Sequence, residues 1–468
     1  MDLFKNYKFQ LFFAILCLAF YSTFAYALER FDFIKLIALY AALFYLTHHF
    51  IEKWKLPFNW LLIFGIFFRL VFILATPNLS QDFYRFIWDG RLLAHGINPY
   101  LFTPDMYMSG ESTLKIVIPQ ANELYKGMGA LSAGHFSNYP PINQLFFSIT
   151  GLFSSSSILG SVIILRLITI FADLGILFFG RKLLKNLNLN PNKIFWYFLS
   201  PFVIIEMTGN LHFESVMLFF VVWALYLLQQ KKWIWAAILL GVSVSVKLLP
   251  LLFLPLLIGY SFRKNDLSLK KPFKSFNIIT VIKFYLVTIA TVLITFLPFL
   301  SSEFISNFLA TIGLWFQNFE FNASVYYVIR WIGYQIVGWN IIATVGKVLP
   351  IITILSILGL VFFRKNQETK QVITAMLFAV SFYFLLSTTV HPWYIATPLL
   401  LCIFTKYKFP IVWSFVVFLS YSAYGKDGFV ENLWLVTLEY LIVIGFTFWE
   451  IRKKLPQKET GLNNTIST

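Results

Sequence analysis

The chain has 468 residues, of which 59% are hydrophobic, 20% aromatic and only 12% charged, with a mean hydropathy of +0.74. Soluble globular chains carry roughly twice that charged fraction, so a water-soluble domain is excluded. The net charge of +16 is dispersed in short clusters between apolar runs, which reads as membrane topology and not as a nucleic-acid surface.

Apolar runs recur from end to end, among them Phe9–Leu28, Phe58–Thr76 and Ile278–Leu297. Each can cross a hydrocarbon layer about 30 Å thick as a helix. Lys5 and Lys8 precede the first run, and Ala25-Tyr26-Ala27 at its end imitates a signal-peptide cleavage site. The run exceeds a usual signal core, so it is read as an uncleaved first span. Cys17 and Cys402 both lie inside apolar runs and give neither a disulfide framework nor a zinc site.

With the amino terminus in the cytoplasm, alternating spans put most basic clusters on the cytoplasmic side: Lys53/Lys55, Arg181/Lys182/Lys185/Lys193, Lys231/Lys232, residues 263–274, Arg364/Lys365/Lys370, Lys406/Lys408 and Arg452/Lys453/Lys454. Residues 233–260 fit this scheme only as a hairpin broken near Lys247–Pro250, which proline permits. The expected fold is therefore an all-α polytopic transmembrane bundle of about 12 to 14 spans. It forms a single domain over residues 1–451, with long outer loops at 77–157 and 299–346. Residues 452–468 make a polar cytoplasmic tail, expected to be disordered. Both termini are cytoplasmic in a cell-membrane protein of this topology.

The first outer loop carries Gln81-Asp82-Phe83-Tyr84-Arg85, then Trp88-Asp89-Gly90-Arg91 and Gly96-Ile97-Asn98-Pro99-Tyr100. Ser80 is the expected N-cap, placing Asp82 in a first helical turn, where the dipole favours a carboxylate. Phe83, Phe86, Ile87, Gly90 and Ala94 form one apolar face, and Arg85, Trp88, Asp89 and Arg91 lie off it. That pattern describes a helix lying on the membrane surface and ended at Gly96. Asp82 is placed to accept a proton from a hydroxyl. The structural alternative is that Asp82 only caps the helix and Asp89 pairs with Arg85.

These motifs resemble the first outer loop of bacterial membrane glycosyltransferases of the GT-C fold, in particular the polyprenyl-phosphate-mannose-dependent mannosyltransferases, and more distantly those of glycosylphosphatidylinositol assembly. Tyr139-Pro140-Pro141-Ile142-Asn143-Gln144 resembles the second half of that loop. Gly209-Asn210-Leu211-His212-Phe213-Glu214, Lys247-Leu248-Leu249-Pro250 and His391-Pro392-Trp393-Tyr394 add shorter matches in the expected order. The resemblance implies that Asp82 is the catalytic carboxylate. Many relatives have two adjacent acidic residues where this chain has Gln81-Asp82, which puts a metal-binding role in doubt; no cofactor is expected, and a divalent metal stays open.

The topology places His212, Lys247 and His391 on the same side as Asp82, and ionisable groups at membrane depth are functional candidates. The resulting expectation is a hexosyl transfer, mannose first, from a polyprenyl-phosphate sugar to a lipid or glycan acceptor on the extracytoplasmic side, with inversion. Asp82 is the general base, and Arg85, Arg91, Lys247 and His391 stabilise the donor phosphate. Asp89, Tyr139, His212, Glu214, Trp393 and Tyr394 are the candidates for holding acceptor or sugar. Each also has a plainer reading: a His212–Glu214 pair closing a turn, Lys247 reaching head groups, or His391 with its aromatic neighbours as a membrane anchor. Arg69, Arg166 and Asp173 lie in spans, and the last two, seven apart on one helical face, are assigned to structure. A transporter or flippase of a lipid-linked sugar is the competing class, and it predicts a polar path at the midplane.

Overall fold

The computed structural model describes residues 7–262, 278–317 and 319–454. Lys5, the basic stretch 263–274 and the tail from residue 455 onward fall outside the described residues. Most of the rest is helix; the only named strands among the described residues are Tyr424–Gly425 and Gly428–Phe429, an antiparallel two-residue ribbon.

Among the described residues six helices are long and apolar enough to cross a bilayer: Lys8–Tyr26, Phe33–Lys53, Ile158–Asn186, Ile278–Phe299, Ile342–Phe362 and Leu433–Lys454. Pro201–Gly209 and Glu214–Gln229 would make a seventh, but they are bent 116° apart. Five more apolar helices have 10–17 residues. The expectation of about 12 to 14 spans thus counts apolar runs, several of which are helical for only part of their length. The run Phe58–Thr76, for example, is helical only from Phe58 to Leu70 and continues as turns. Large apolar side chains such as Phe9, Phe12, Leu286, Leu293, Leu441 and Phe448 point outward and are exposed. Apolar surface on that scale is stable only against hydrocarbon. The chain is a multi-pass membrane protein.

The broken hairpin is present. Lys231 Nζ donates to the Ser261 carbonyl, and the Tyr260 hydroxyl donates to Leu228 O over 2.9 Å, so the chain leaves and returns at the same end. The outward leg is the helix Trp233–Val244. The return leg is not a second α-helix. It consists of the 3₁₀ turns Leu249–Phe253 and Pro255–Leu257, because Pro250 and Pro255 lack the N–H that an α-helix needs.

The helix Asp82–Ala94 departs from expectation. Every residue from Arg85 to Leu92 is buried, so over that stretch the helix is covered by protein on all sides and leaves no apolar face open to lipid. It is clasped between Ala121–Ala133 and Pro141–Phe153. A Cβ on Gly90 would come within 2.1 Å of the Phe147 carbonyl oxygen, and one on Gly151 within 2.4 Å of Gly90 O. Two helices therefore meet backbone to backbone, and Phe86 and Phe147 stack beside the contact at 4.4 Å. Gln81, not Ser80, holds the N-cap position and offers no side-chain cap. Ser80 Oγ instead accepts from the Asp82 amide over 3.3 Å.

Arg166 fixes the approach to this region from within the long helix Ile158–Asn186. Its guanidinium donates to Thr208 O, Ile73 O, Ala75 O and Gly209 O over 2.7–3.1 Å. Asn210 Oδ1 accepts from the Leu79 amide over 3.2 Å, and Asn78 Nδ2 donates to Phe24 O and Leu28 O, each over 2.7 Å. The segments ending in Asp82 and His212 are thereby tied to each other and to the end of the first helix. Arg69 pairs with Asp173 over 2.9 Å, both fully buried. The structural roles expected for Arg166 and Asp173 agree with these contacts, and Arg69 is the partner of Asp173.

Candidate active site

Asp82 is the first residue of its helix, where the unpaired amides present partial positive charge. The residue is half-buried. Burial holds its carboxyl above the ordinary carboxylate range; Lys247 and then Arg30 pull it back, and Glu214 adds to the upward push. Its carboxyl oxygens have no hydrogen-bond or ion-pair partner among the described residues.

Facing it is an aromatic stack. Trp393 lies between two imidazoles, with His212 at 3.7 Å and 14° on one face and His391 at 4.5 Å and 3° on the other. Tyr394 stands edge-on to His391 at 5.4 Å, and Lys247 Nζ lies 6.0 Å from the Tyr394 ring. Lys247 is ion-paired to Glu214 Oε1, while Glu214 Oε2 is buried without a partner. Tyr139 borders the same space: its ring packs edge-on against Phe86 at 5.0 Å, and it lies in the electrostatic field of Asp82 and Tyr394.

Two further segments close the cluster. Glu206 Oε1 accepts from the Tyr421 hydroxyl over 2.6 Å, and Glu206 Oε2 lies 3.6 Å from His212 Nε2. Arg30 rests 3.4 Å above the Tyr424 ring, and its field reaches Asp82 and His391. Phe321 links Tyr424 to His391, with ring centroids 6.2 Å and 5.1 Å away.

Three expected residues do not join the cluster. Arg85 Nε donates to Asp89 Oδ1 over 2.7 Å and Arg85 Nη1 to Ser132 O and His135 O. Asp89 Oδ2 accepts from Ser137 Oγ over 2.6 Å and from Gln144 Nε2 over 2.9 Å. Both are buried, so this network holds the loop and keeps Arg85 and Asp89, expected at the donor phosphate and the acceptor, out of the Asp82 cluster. Arg91 donates to Pro119 O and to Gln120 Oε1, and it likewise serves loop structure. His391 does join the cluster. Burial, Lys247 and Arg30 hold its imidazole down at about 3, so near neutral pH it offers a hydrogen bond and not the positive charge expected of it. Its Nδ1 is buried without a partner.

Among the described residues no three His, Cys, Asp or Glu side chains converge closely enough to hold a metal ion.

The arrangement of a free carboxylate, two cations and an aromatic wall suits group transfer from an anionic donor. A family model described as "Alpha-(1->6)-mannopyranosyltransferase, N-terminal domain" matches residues 20–263, just over half of the chain. The chain belongs to the α-(1→6)-mannopyranosyltransferase family. A second model, "Mannosyltransferase (PIG-M)", matches residues 205–449. The alpha-(1→6)-mannopyranosyltransferase A of Mycobacterium tuberculosis (strain ATCC 25618 / H37Rv) is 20% identical over 345 residues, covering 70% of this chain. The chain spans 61% of that relative's length. The resemblance carried by the Gln81–Arg91 and Gly96–Tyr100 motifs is thus met by mannosyltransferase matches across the chain.

Within this mannosyltransferase framework, sequence reasoning missed Arg30, Glu206, Tyr421 and Tyr424. Glu206 had a signal: a carboxylate inside the apolar run before His212 is costly without a role. Arg30 had a fainter one, a lone guanidinium in a short connection on the side the loop charges leave poor in cations. Tyr421 and Tyr424 carried none, since tyrosine is common throughout this chain.

Proposed function

We propose that the chain transfers a mannosyl group from a polyprenyl-phosphate sugar to a lipid or glycan acceptor on the extracytoplasmic side of the membrane, with Asp82 as general base. The observation that carries this reading is the contrast between two carboxylates on one helix. Asp89 has both oxygens occupied, whereas Asp82 has neither occupied and sits in the first turn beside the two cations. A base must be free to receive a proton.

In the reaction the acceptor hydroxyl oxygen bonds to the anomeric carbon while its proton passes to Asp82. The bond from that carbon to the phosphate oxygen breaks, and the leaving polyprenyl phosphate gains negative charge. Positive charge in a partly dry site stabilises that group as it forms. Tyr394 and Tyr139, both part-exposed, supply the flat apolar faces that sugar rings pack against, and the edge of the His212–Trp393–His391 stack and Glu214 stand beside them. A single displacement inverts the anomeric centre, so a β-linked donor gives an α product, in accord with the family's description. The side of the membrane is supported by the loop charges: the topology that puts basic clusters in the cytoplasm puts Asp82, His212, Lys247 and His391 opposite, and these converge. Nucleotide sugars stay in the cytoplasm, so a site on the outer side requires a lipid-linked donor.

The test is transfer from radiolabelled polyprenyl-phosphate mannose by the purified full-length protein, with Asp82→Asn in parallel. The variant should lose at least about 100-fold in rate. Equal rates would remove Asp82 as base. Movement of the lipid-linked sugar across vesicles without any transfer would favour a transporter.

A further inference from the structure

Lys247 and Arg30 are the two cations in the field of Asp82, and they differ in one respect. Lys247 already has a counter-charge, Glu214 Oε1. Arg30 has none: among the described residues no carboxylate lies within ion-pair distance of it. Its guanidinium lies flat on the Tyr424 ring at 3.4 Å, and its Nε is buried without a hydrogen-bond partner. A half-buried guanidinium stacked on an aromatic face keeps its edge donors available. That edge is the geometry that grips a phosphate with two parallel hydrogen bonds.

We infer that Arg30 is the residue that binds the donor phosphate, with Tyr424 as the plate that aims it and Lys247 held back by Glu214. The inference rests on the lipid-phosphate reading above and deepens it. Three connections support the placement. Asn78 joins the Asp82 loop to Leu28 O, two residues before Arg30. Lys426 Nζ sits 5.0 Å from the Phe31 ring, so the ribbon carrying Tyr424 packs against both Arg30 and its neighbour Phe31. Phe321 bridges Tyr424 to His391, which puts the guanidinium and the Trp393 stack on the wall of one space. A phosphate at Arg30 would leave the sugar between Asp82 and that stack.

The test is binding to the full-length protein in detergent, read by calorimetry, with farnesyl phosphate as probe and farnesol and inorganic phosphate as controls. Wild type should prefer farnesyl phosphate to farnesol, and equimolar inorganic phosphate should not displace it. Arg30→Gln should weaken farnesyl phosphate binding by at least about tenfold, Arg30→Lys less, and Lys247→Gln less than Arg30→Gln. If Arg30→Gln does not fold, judged by its melting temperature, Arg30→Lys decides, and affinity equal to wild type overturns the assignment. Unchanged affinity in Arg30→Gln, or a larger loss in Lys247→Gln, also overturns it while leaving the donor class intact. Wild type that binds farnesol as well as farnesyl phosphate removes the lipid-phosphate donor itself. Displacement by inorganic phosphate would mark a site for the free anion and overturn the lipid assignment.

Discussion

Arg85 Nε donates to Asp89 Oδ1 over 2.7 Å, one turn along a helix whose every side is covered from Arg85 to Leu92. Ser137 and Gln144 hold the other carboxylate oxygen, so the loop from residue 132 to 144 is gathered onto this ion pair. Removing one partner of a dry pair leaves the other charge uncompensated, which costs about 3 kcal/mol. Asp89→Asn is therefore expected to lower thermal stability by about that amount, read from unfolding in detergent, and replacing both Arg85 and Asp89 with apolar residues should recover part of it. The folded fraction of Asp89→Asn should keep the wild-type donor KM. A raised KM with unchanged melting would instead put Asp89 against substrate.

Asp82 should behave in the opposite way. Its folded-state carboxyl is raised above the ordinary 3.8 by burial. A raised carboxyl stabilises the fold only where it is protonated: the contribution is complete below 3.8 and is lost as pH rises through the folded value. At pH 7 the ionised group is a burden on stability that the reaction requires. Asp82→Asn is expected to melt at or above the wild-type temperature at pH 7 while losing transfer. A variant that melts well below wild type would mean that Asp82 serves the fold.

The same electrostatics set a pH dependence. Transfer requires ionised Asp82, so kcat/KM should rise with pH through the carboxyl's raised value and then level. Lys247 is the strongest of the charges pulling that value down. Lys247→Gln should therefore move the acid limb to higher pH, and freeing Glu214 from its partner pushes in the same direction. A limb displaced to lower pH, or not displaced, would show that Lys247 does not act on Asp82. His391 adds a stability effect of its own. Its imidazole is held down to about 3, so its contribution to stability is complete above 6.5 and is lost as pH falls from there toward 3.

Much of this was legible before the fold was known. Helical spans follow from apolar run length, and the return of the chain between Lys231 and Ser261 follows from charge and proline placement. Asp82, His212, Lys247 and His391 were brought to one side by topology alone. What sequence could not supply was which polar groups satisfy one another. Arg85, Asp89 and Arg91 look as available as Asp82 in a one-dimensional string. Their pairing depends on Ser132, Ser137, Gln144 and Pro119, which only the clasping of the loop helices brings near. The period of the helix misled for a related reason. Arg85, Trp88, Asp89 and Arg91 lie off the apolar face, a pattern that describes a surface helix, but the second face is covered by protein that pairs with Arg85, Asp89 and Arg91. Arg30 was overlooked because its partner ring, Tyr424, is 394 positions away in the chain.

The contact between Gly90 and Phe147 ties stability to geometry at the site. Neither Gly90 nor Gly151 has a positive φ, so glycine is needed there for the approach of two backbones and not for an unusual conformation. A methyl on Gly90 would lie 2.1 Å from Phe147 O, and the atom it meets is backbone, which cannot rotate away. Gly90→Ala must therefore separate the helices Asp82–Ala94 and Pro141–Phe153, at about 1 to 3 kcal/mol. The separation would also carry Phe86 off Phe147 and shift Asp82 against the Trp393 stack, where a misplacement of about 1 Å can cost about 100-fold in rate. Gly445→Ala is the control: it lies in the helix Leu433–Lys454, and a Cβ there meets nothing within 4 Å. Alanine at that position should be neutral or raise stability by up to about 1 kcal/mol. If Gly90→Ala melted and transferred like Gly445→Ala, the close approach would not be what holds Asp82 in place.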